Sequence, residues 1–244
     1  MTTNTHNHKV AVVIPAFNEE NKIGKVVSSI PRGVVDKIII IDDGSLDATA
    51  TEASGDSRVR LIKNIKTEGV GSAIRAGINF AKNHNFSIVV IMAGNTKDDG
   101  GQIPLLVEPI IRGESDFVQG SRFLKKANYG HMPFYRLIAT CFIHPVLFSM
   151  VSGKRISDST NGFRAIRTAI FEDERINLDQ EWLNRYELEP YLFYKVLKLG
   201  YRVREVPVFK RYPPKKLGYT KMRPFIDWWL ILKPIFLLGL GIKK

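Results

Sequence analysis

Short apolar runs alternate with helix-spaced polar stretches through the first third of the chain. Residues 9–14 (KVAVVI) form a β-branched run that stops at Pro15, as a buried strand does. Asn18 stands where it can cap a helix over 19–30, which ends at Pro31. The run KIIII at 37–41 predicts a second buried strand, Asp42-Asp43-Gly44-Ser45 the turn after it, and 47–54 a helix. A third strand is predicted over 59–62, a helix with small residues on one side over 69–83, and a fourth strand over 87–92. Four apolar strands separated by helices imply an α/β fold, a mostly parallel sheet covered on both faces.

The pattern loosens in the second half. Residues 116–119 read as a strand, 134–150 as an apolar helix interrupted by Pro145, 187–199 as an amphipathic helix and 201–209 as an alternating strand. A basic, proline-bearing loop (210–223) and an apolar tail follow. With no internal repeat and no long linker, one domain over 9–223 is expected. It is flanked by a disordered N-terminus (1–8) and by the tail (224–244). The first residues, MTTNTHNHK, hold no apolar core for a secretory signal, so a cytoplasmic protein is expected.

Composition narrows the class. A hydrophobic fraction of 44% with 25% charged residues excludes a disordered chain. The single cysteine, Cys141, excludes a disulfide framework and fits a reducing compartment. His6, His8, His84, His131 and His144 show no metal-ligand spacing. Charge changes the picture more: 36 basic against 24 acidic side chains give +12 overall. Residues 1–122 hold 14 of each sign, so the whole excess lies in 123–244, with 22 basic and 10 acidic. The second half therefore faces something anionic: nucleic acid, a phosphorylated substrate or a membrane.

Ligands of open α/β sheets sit at the carboxyl ends of the strands. Three polar clusters fall there: Pro15-Ala16-Phe17-Asn18-Glu19, Asp42-Asp43-Gly44-Ser45 and Ala93-Gly94-Asn95-Thr96-Lys97-Asp98-Asp99. Carboxylates in such turns suit a ribose hydroxyl, a base N–H or a metal ion, or they cap helices.

The ordered set VVIPAFNEE, IIIIDDGSLDAT, GVGSAIRAGINFA, VQGSRF, DSTNGFRA, YELEPYLFYKVLKLGYRVREVPV and LGYTKM resembles the inverting family 2 glycosyltransferases. The likeness is strongest to the dolichol-phosphate mannosyltransferase-like enzymes that glycosylate polyprenyl phosphates, and it spans residues 9–223. It implies a GT-A-type, Rossmann-like sheet flanked by helices, a nucleotide-sugar donor and a polyprenyl-phosphate acceptor. It places Pro15, Phe17 and Glu19 on the nucleotide, Ile41 and Asp43 on base and ribose, and Gly94 and Asn95 in the donor site. Arg122 falls near the diphosphate, Arg164 in the GFR motif, Lys221 on a loop that closes over the phosphates, and Lys215 where arginine is common. Cations at these places suit a diphosphate leaving group. Arg122 and Arg164 equally suit structural ion pairs.

One departure concerns metal. The resemblance implies Mg²⁺ or Mn²⁺ held by an Asp-x-Asp that ends the fourth strand. Here Ala93, Gly94 and Asn95 occupy that motif, and hard cations prefer anionic oxygen. Asn95 and Asp98 are the candidate ligands, Asp98 or Asp99 standing in for the lost carboxylates or serving as ordinary turn residues. A polyprenyl-phosphate acceptor needs no strong base, whereas a hydroxyl acceptor would, with Asp158, Glu187 and Glu189 as candidates. The lost motif also leaves room for a non-catalytic, nucleotide-binding membrane adaptor.

The tail carries Trp228 and Trp229 beside basic residues and is broken by Asp227, Lys233 and Pro234. That pattern suits a membrane-associating interfacial helix rather than a spanning one, with packing on the domain or an oligomer contact as the alternative. A peripheral protein on the cytoplasmic face of a membrane is expected, and no nucleic-acid module is visible.

Overall fold

The computed structural model describes residues 8–125, 127–129, 132–212 and 226–243. Among them, seven strands share one sheet: β1 (Val10–Ala16), β2 (Lys37–Asp42), β3 (Val59–Lys63), β4 (Ile88–Ile91), β5 (Phe117–Ser121), β6 (Arg164–Arg167) and β7 (Val203–Pro207). Their order is β3-β2-β1-β4-β6-β5-β7. Only β6 runs against its neighbours, β4 and β5. The order reverses beside β1, which pairs with β2 on one side and β4 on the other. A crevice opens at such a switch point, at the carboxyl ends of the strands.

Alternation along the strands fills two cores. Val13, Ile39, Ile41 and Val89 point to one face, with Ile74 and Ile78 of α3 (Val70–Asn83) and Phe193 and Val196 of α7 (Leu188–Lys198). Val12, Ile14, Ile38, Ile40 and Val90 point to the other, under α1 (Ile23–Ser29) and α4 (Ile103–Ile111). Each such side chain withdrawn from water contributes about 1.5–3 kcal/mol. Helix α3 lies close on β1 because Gly77 has no side chain: a Cβ there would come within 2.3 Å of Val13 Cγ1.

The expected α/β sheet is present, with four local differences. Helix α1 starts at Ile23 rather than residue 19, because Asn18 adopts a left-handed φ of 50° and its side chain turns away to accept from Leu46 N. The short α2 (Thr49–Ala53) covers only part of 47–54. Neither α4 nor β6 follows from the pattern read above. Pro145 does not break the 134–150 helix: α5 (Phe134–Ile138) widens into a π turn over Ala139–Ile143 and runs on as α6 (His144–Ser152). A π turn accommodates the missing N–H and the bulk of the proline ring.

Helix α8 (Ile226–Gly239) packs on α6 and α7 through Ile235 and Leu238, so part of the tail joins the core. Its other side leaves Trp229 and Phe236 exposed, and Leu240 just beyond it is exposed too. The α5–α6 helix does the same: His144, Pro145 and Phe148 are buried while Phe134, Tyr135, Phe142 and Met150 face outward. By length and composition, residues Phe134–Ser152 could cross a membrane, and only 17% of that stretch is buried against the rest of the chain. Tyr135 and Trp228 rings approach to 5.7 Å, which joins the two exposed apolar surfaces. His8 lies with Nδ1 3.5 Å from Ser87 Oγ. The rest of the expected N-terminal segment falls outside the described residues.

Candidate active site

The turns after β1 and β2 are tied to each other. Asn18 N donates to Ser45 Oγ at 2.9 Å, and Leu46 N donates to Asn18 Oδ1 at 3.0 Å. Asp42 Oδ1 accepts from Ser45 N at 2.9 Å, and Gly44 supplies the positive φ that the turn requires. Asp42 Oδ2 is buried and accepts nothing among the described residues. Asp43 accepts from Asn64 Nδ2, Glu68 N and Gly69 N, each at 2.9 Å. Its carboxylate thus holds the entry to α3, where a negative charge is favoured. Pro15 pairs with Ile41 in the sheet, Phe17 is partly exposed, and Glu19 takes Lys22 Nζ at 3.0 Å.

The turn after β4 is built differently. Gly94 nestles against β1, where a Cβ would meet Pro15 O at 3.3 Å. Thr96, a β-branched residue, sits at φ +60°, an uncommon and strained conformation. Asp98 accepts from Lys210 Nζ at 2.6 Å and from Ala93 N at 3.1 Å, and Lys210 Nζ also reaches Asn161 Oδ1 at 2.9 Å. Asn95 Oδ1 accepts from Lys97 N at 3.3 Å. Arg211 N donates to Lys97 O at 2.8 Å, so the segment after β7 clasps this turn.

Lys97 itself is buried. Its ammonium lies 5.9 Å from the centre of the Tyr212 ring, and the Arg136 guanidinium lies 5.6 Å from the same ring. Burial first, then repulsion from Arg136 and Lys210, lowers the Lys97 pKa to about 8 against the pull of Glu19 and Asp98. Tyr212 OH accepts from Arg122 Nη1 at 2.8 Å, so three cations surround one aromatic side chain.

Arg122 and Asp158 form a bidentate pair, Nε–Oδ2 at 2.7 Å and Nη2–Oδ1 at 2.8 Å, with both residues buried (3% and 0% exposed). Burial opposes charge on both; the pairing outweighs it, raising the arginine and holding the carboxyl below its ordinary range. Arg122 N and Thr160 also bond this carboxylate. Asp158 is therefore a counter-ion and not a free base, which corrects its candidacy. Glu205 of β7 fixes the same turn by accepting from Ser157 N and Asp158 N.

Two other candidates are buried inside the sheet. Arg164 is 1% exposed inside the sheet, donating to Asn161 O and Glu189 O, with Glu189 Oε1 at 3.3 Å. Burial lowers its pKa against the pull of Glu189, Asp158 and Asp98, and it forms the ion pair with Glu189 that its sequence position also suits. Ile41 is wholly buried in the α3-side core, so its side chain cannot grip a base. The described basic residues of the segment after 201 are also paired: Arg202 with Asp116, Arg204 with Glu114, Lys210 with Asp98 and Arg211 with Asp99. Lys215 and Lys221 lie outside the described residues. Lys97, Arg136 and Tyr212 were not singled out as site residues by sequence; the signal for Lys97 was its place two residues after Asn95.

Comparison with known proteins identifies the family. The dolichol-phosphate mannosyltransferase of Pyrococcus furiosus is 32% identical over 176 residues, 69% of this chain and 49% of that protein, so the chain spans about half of it. The UDP-N-acetylglucosamine–dolichyl-phosphate N-acetylglucosaminyltransferase of Methanococcus voltae is 27% identical over 217 residues, 82% of this chain and 84% of that protein. Among solved structures, the glucosyl-3-phosphoglycerate synthase of Mycobacterium tuberculosis in complex with Mn²⁺, UDP and glucosyl-3-phosphoglycerate superposes with a TM-score of 0.68. It is 19% identical and covers 98% of this chain and 82% of that one, a likeness of fold. Residues 11–175 match the model of Glycosyl transferase family 2, from β1 through the Arg122–Asp158 pair, and the chain belongs to that family as a glycosyltransferase of GT-A fold.

Proposed function

We infer that the chain transfers a sugar from a nucleotide diphosphate to a polyprenyl phosphate, inverting the anomeric centre, at the cytoplasmic face of a membrane. The observation that carries this is the junction of charge and apolar surface on one helix. Arg136 lies over Tyr212 with the buried cations, while Phe134, Tyr135 and Ile138 of the same helix are exposed. Tyr135 continues into the tryptophan-bearing face of α8. An acceptor with an anionic head and a long apolar chain matches both parts. Relatives named for dolichyl and undecaprenyl phosphates support the same acceptor class.

In this reading an acceptor phosphate oxygen attacks the anomeric carbon. The new C–O bond forms as the bond to the β-phosphate breaks, and the electron pair leaves on the nucleoside diphosphate. The attacking oxygen is already anionic, so no general base is required, in keeping with the commitment of Asp158 to Arg122. Pro15, Phe17, Glu19, Asp43, Gly94 and Asn95 line the donor's nucleoside end, and the family resemblance assigns contacts with its phosphates to Lys215 and Lys221. Arg122 acts by holding Tyr212 and the 157–160 turn in place.

The test is to incubate the protein with a panel of labelled nucleotide sugars and vesicles containing polyprenyl phosphate. Label is expected in the organic phase as an acid-labile lipid phosphate sugar. Transfer to 3-phosphoglycerate instead would replace the acceptor assigned here, and donor binding without any transfer would make the chain an adaptor.

A further inference from the structure

A departing nucleoside diphosphate needs positive charge at its phosphates. In the family, a divalent ion held by carboxylates at the end of β4 is the implied source. The donor set of this chain does not fit such an ion. Ala93 and Gly94 offer no side-chain oxygen, and Asn95 offers a neutral amide. Asp98, the nearest carboxylate, has one oxygen on Lys210 Nζ at 2.6 Å and the other on Ala93 N. An ammonium ion already occupies the place where a metal would bind this carboxylate, and a second cation there would meet it at close range. Asp99 Oδ1 caps the following turn by accepting from Gly101 N, and Arg211 faces Oδ2 at 3.4 Å. Among the described residues, no group of three or more His, Cys, Asp or Glu is placed to hold a metal. The stretch 213–225 contains none of these four residue types, only further lysines and an arginine among its charges.

The same turn carries a cation of its own. Lys97 is buried two residues after Asn95, its backbone clasped by Arg211 N and its ammonium held near the Tyr212 ring beside Arg136. Thr96, strained at a φ of 60°, precedes it in the same turn. The geometry points to Lys97 as the replacement for the metal ion. Its ammonium, backed by Lys210 and Arg136, binds the donor diphosphate and bears the charge that the leaving group acquires, so that the donor site works without a divalent cation. This rests on the nucleotide-sugar reading of the crevice and is independent of which acceptor is used.

Calorimetric titration with UDP, GDP, CDP, ADP and dTDP, each in the presence of chelator and of saturating Mn²⁺, tests it. The tightest of these ligands is expected to keep its affinity within about threefold between the two conditions. Lys97→Met is expected to weaken that ligand by about ten- to a hundredfold, the loss of one charge-assisted contact, while Lys97→Arg retains most of the binding. Loss of binding in chelator with recovery in Mn²⁺ would overturn the inference. So would a folded Lys97→Met variant, checked by its melting curve, that binds as the parent does. Should Lys97→Met fail to fold, the chelator comparison on the unaltered protein decides alone. Binding of none of the five ligands under either condition would overturn the donor reading itself, and this inference with it.

Discussion

The two sides of the crevice treat their carboxylates in opposite ways. Beside β1 and β2, Asp42 Oδ1 and both oxygens of Asp43 take neutral donors, the amides of Ser45, Glu68 and Gly69 and the side chain of Asn64. Across β4, β5 and β7, Asp98, Asp99 and Asp158 each face a cation: Lys210, Arg211 and Arg122. An amide satisfies a lone pair without cancelling charge, so the first side remains anionic and suits the N–H and O–H donors of a nucleoside. On the second side the carboxylates are neutralised, and Lys97 and Arg136 both stand over the Tyr212 ring, which suits phosphate. Opposite polarity across one crevice gives a nucleotide only one way to lie.

The sharpest break in that comparison is removal of a buried counter-ion. Asp158→Ala leaves Arg122 charged and almost fully buried, and breaking such a pair costs about 3–5 kcal/mol. Thermal unfolding should show a large loss of stability, and Tyr212 should lose its anchor with it. The corresponding truncation on the other side, Asp43→Ala, strands no buried cation and is expected to cost less. Equal losses for the two variants would show that the sides do not differ in the way described.

Acid should act on the cationic side next. His144 Nε2–H donates to Ile231 O at 3.2 Å, which leaves Nδ1 to accept from Ser159 Oγ at 2.7 Å, on the turn that carries Asp158. Burial lowers its pKa from 6.5 to about 4. As pH falls below 6.5 the unfolded chain takes up the proton first, so folding stability is full above 6.5 and is lost progressively down to about 4. The total for this one group is about 3 kcal/mol. Denaturant midpoints measured across that range should fall with pH. In His144→Asn, which cannot titrate, this contribution to the slope should vanish.

Legibility in the sequence follows the same division. The parallel strands were readable because they are buried on both faces, and KVAVVI or KIIII admits little else. Helix α4 was hidden by Pro104 and Pro109, although Asp99 and the Pro at its first turn are start signals. Strand β6 was hidden because RAIR is four residues with an arginine at each end, and its burial depends on Glu189, which arrives from α7. Asp43 could be placed at a strand end, but its bonds to residues 64–69 depend on how β3 leads into α3. The excess of positive charge after residue 122 was countable; that Arg202, Arg204, Lys210 and Arg211 each meet an acid from before residue 122 was not. Pairing across the sheet is a property of topology, and composition carries no trace of it.

The smallest effect expected in stability concerns Asp43→Asn. The amide keeps one acceptor oxygen, so one or two of the three hydrogen bonds at the entry to α3 survive, and the favourable charge at the helix N-terminus is lost. A loss of about 1 kcal/mol follows, read from the chemical denaturation midpoint. Binding should respond more than folding does. Reducing the negative charge on the β1–β2 side weakens the preference for nucleoside donors there and leaves the Lys97 side untouched. Affinity for the nucleoside alone should therefore drop by a larger factor than affinity for inorganic pyrophosphate. Equal losses for nucleoside and pyrophosphate would mean that the carboxylate acts through the shape of the whole crevice rather than through one side of it.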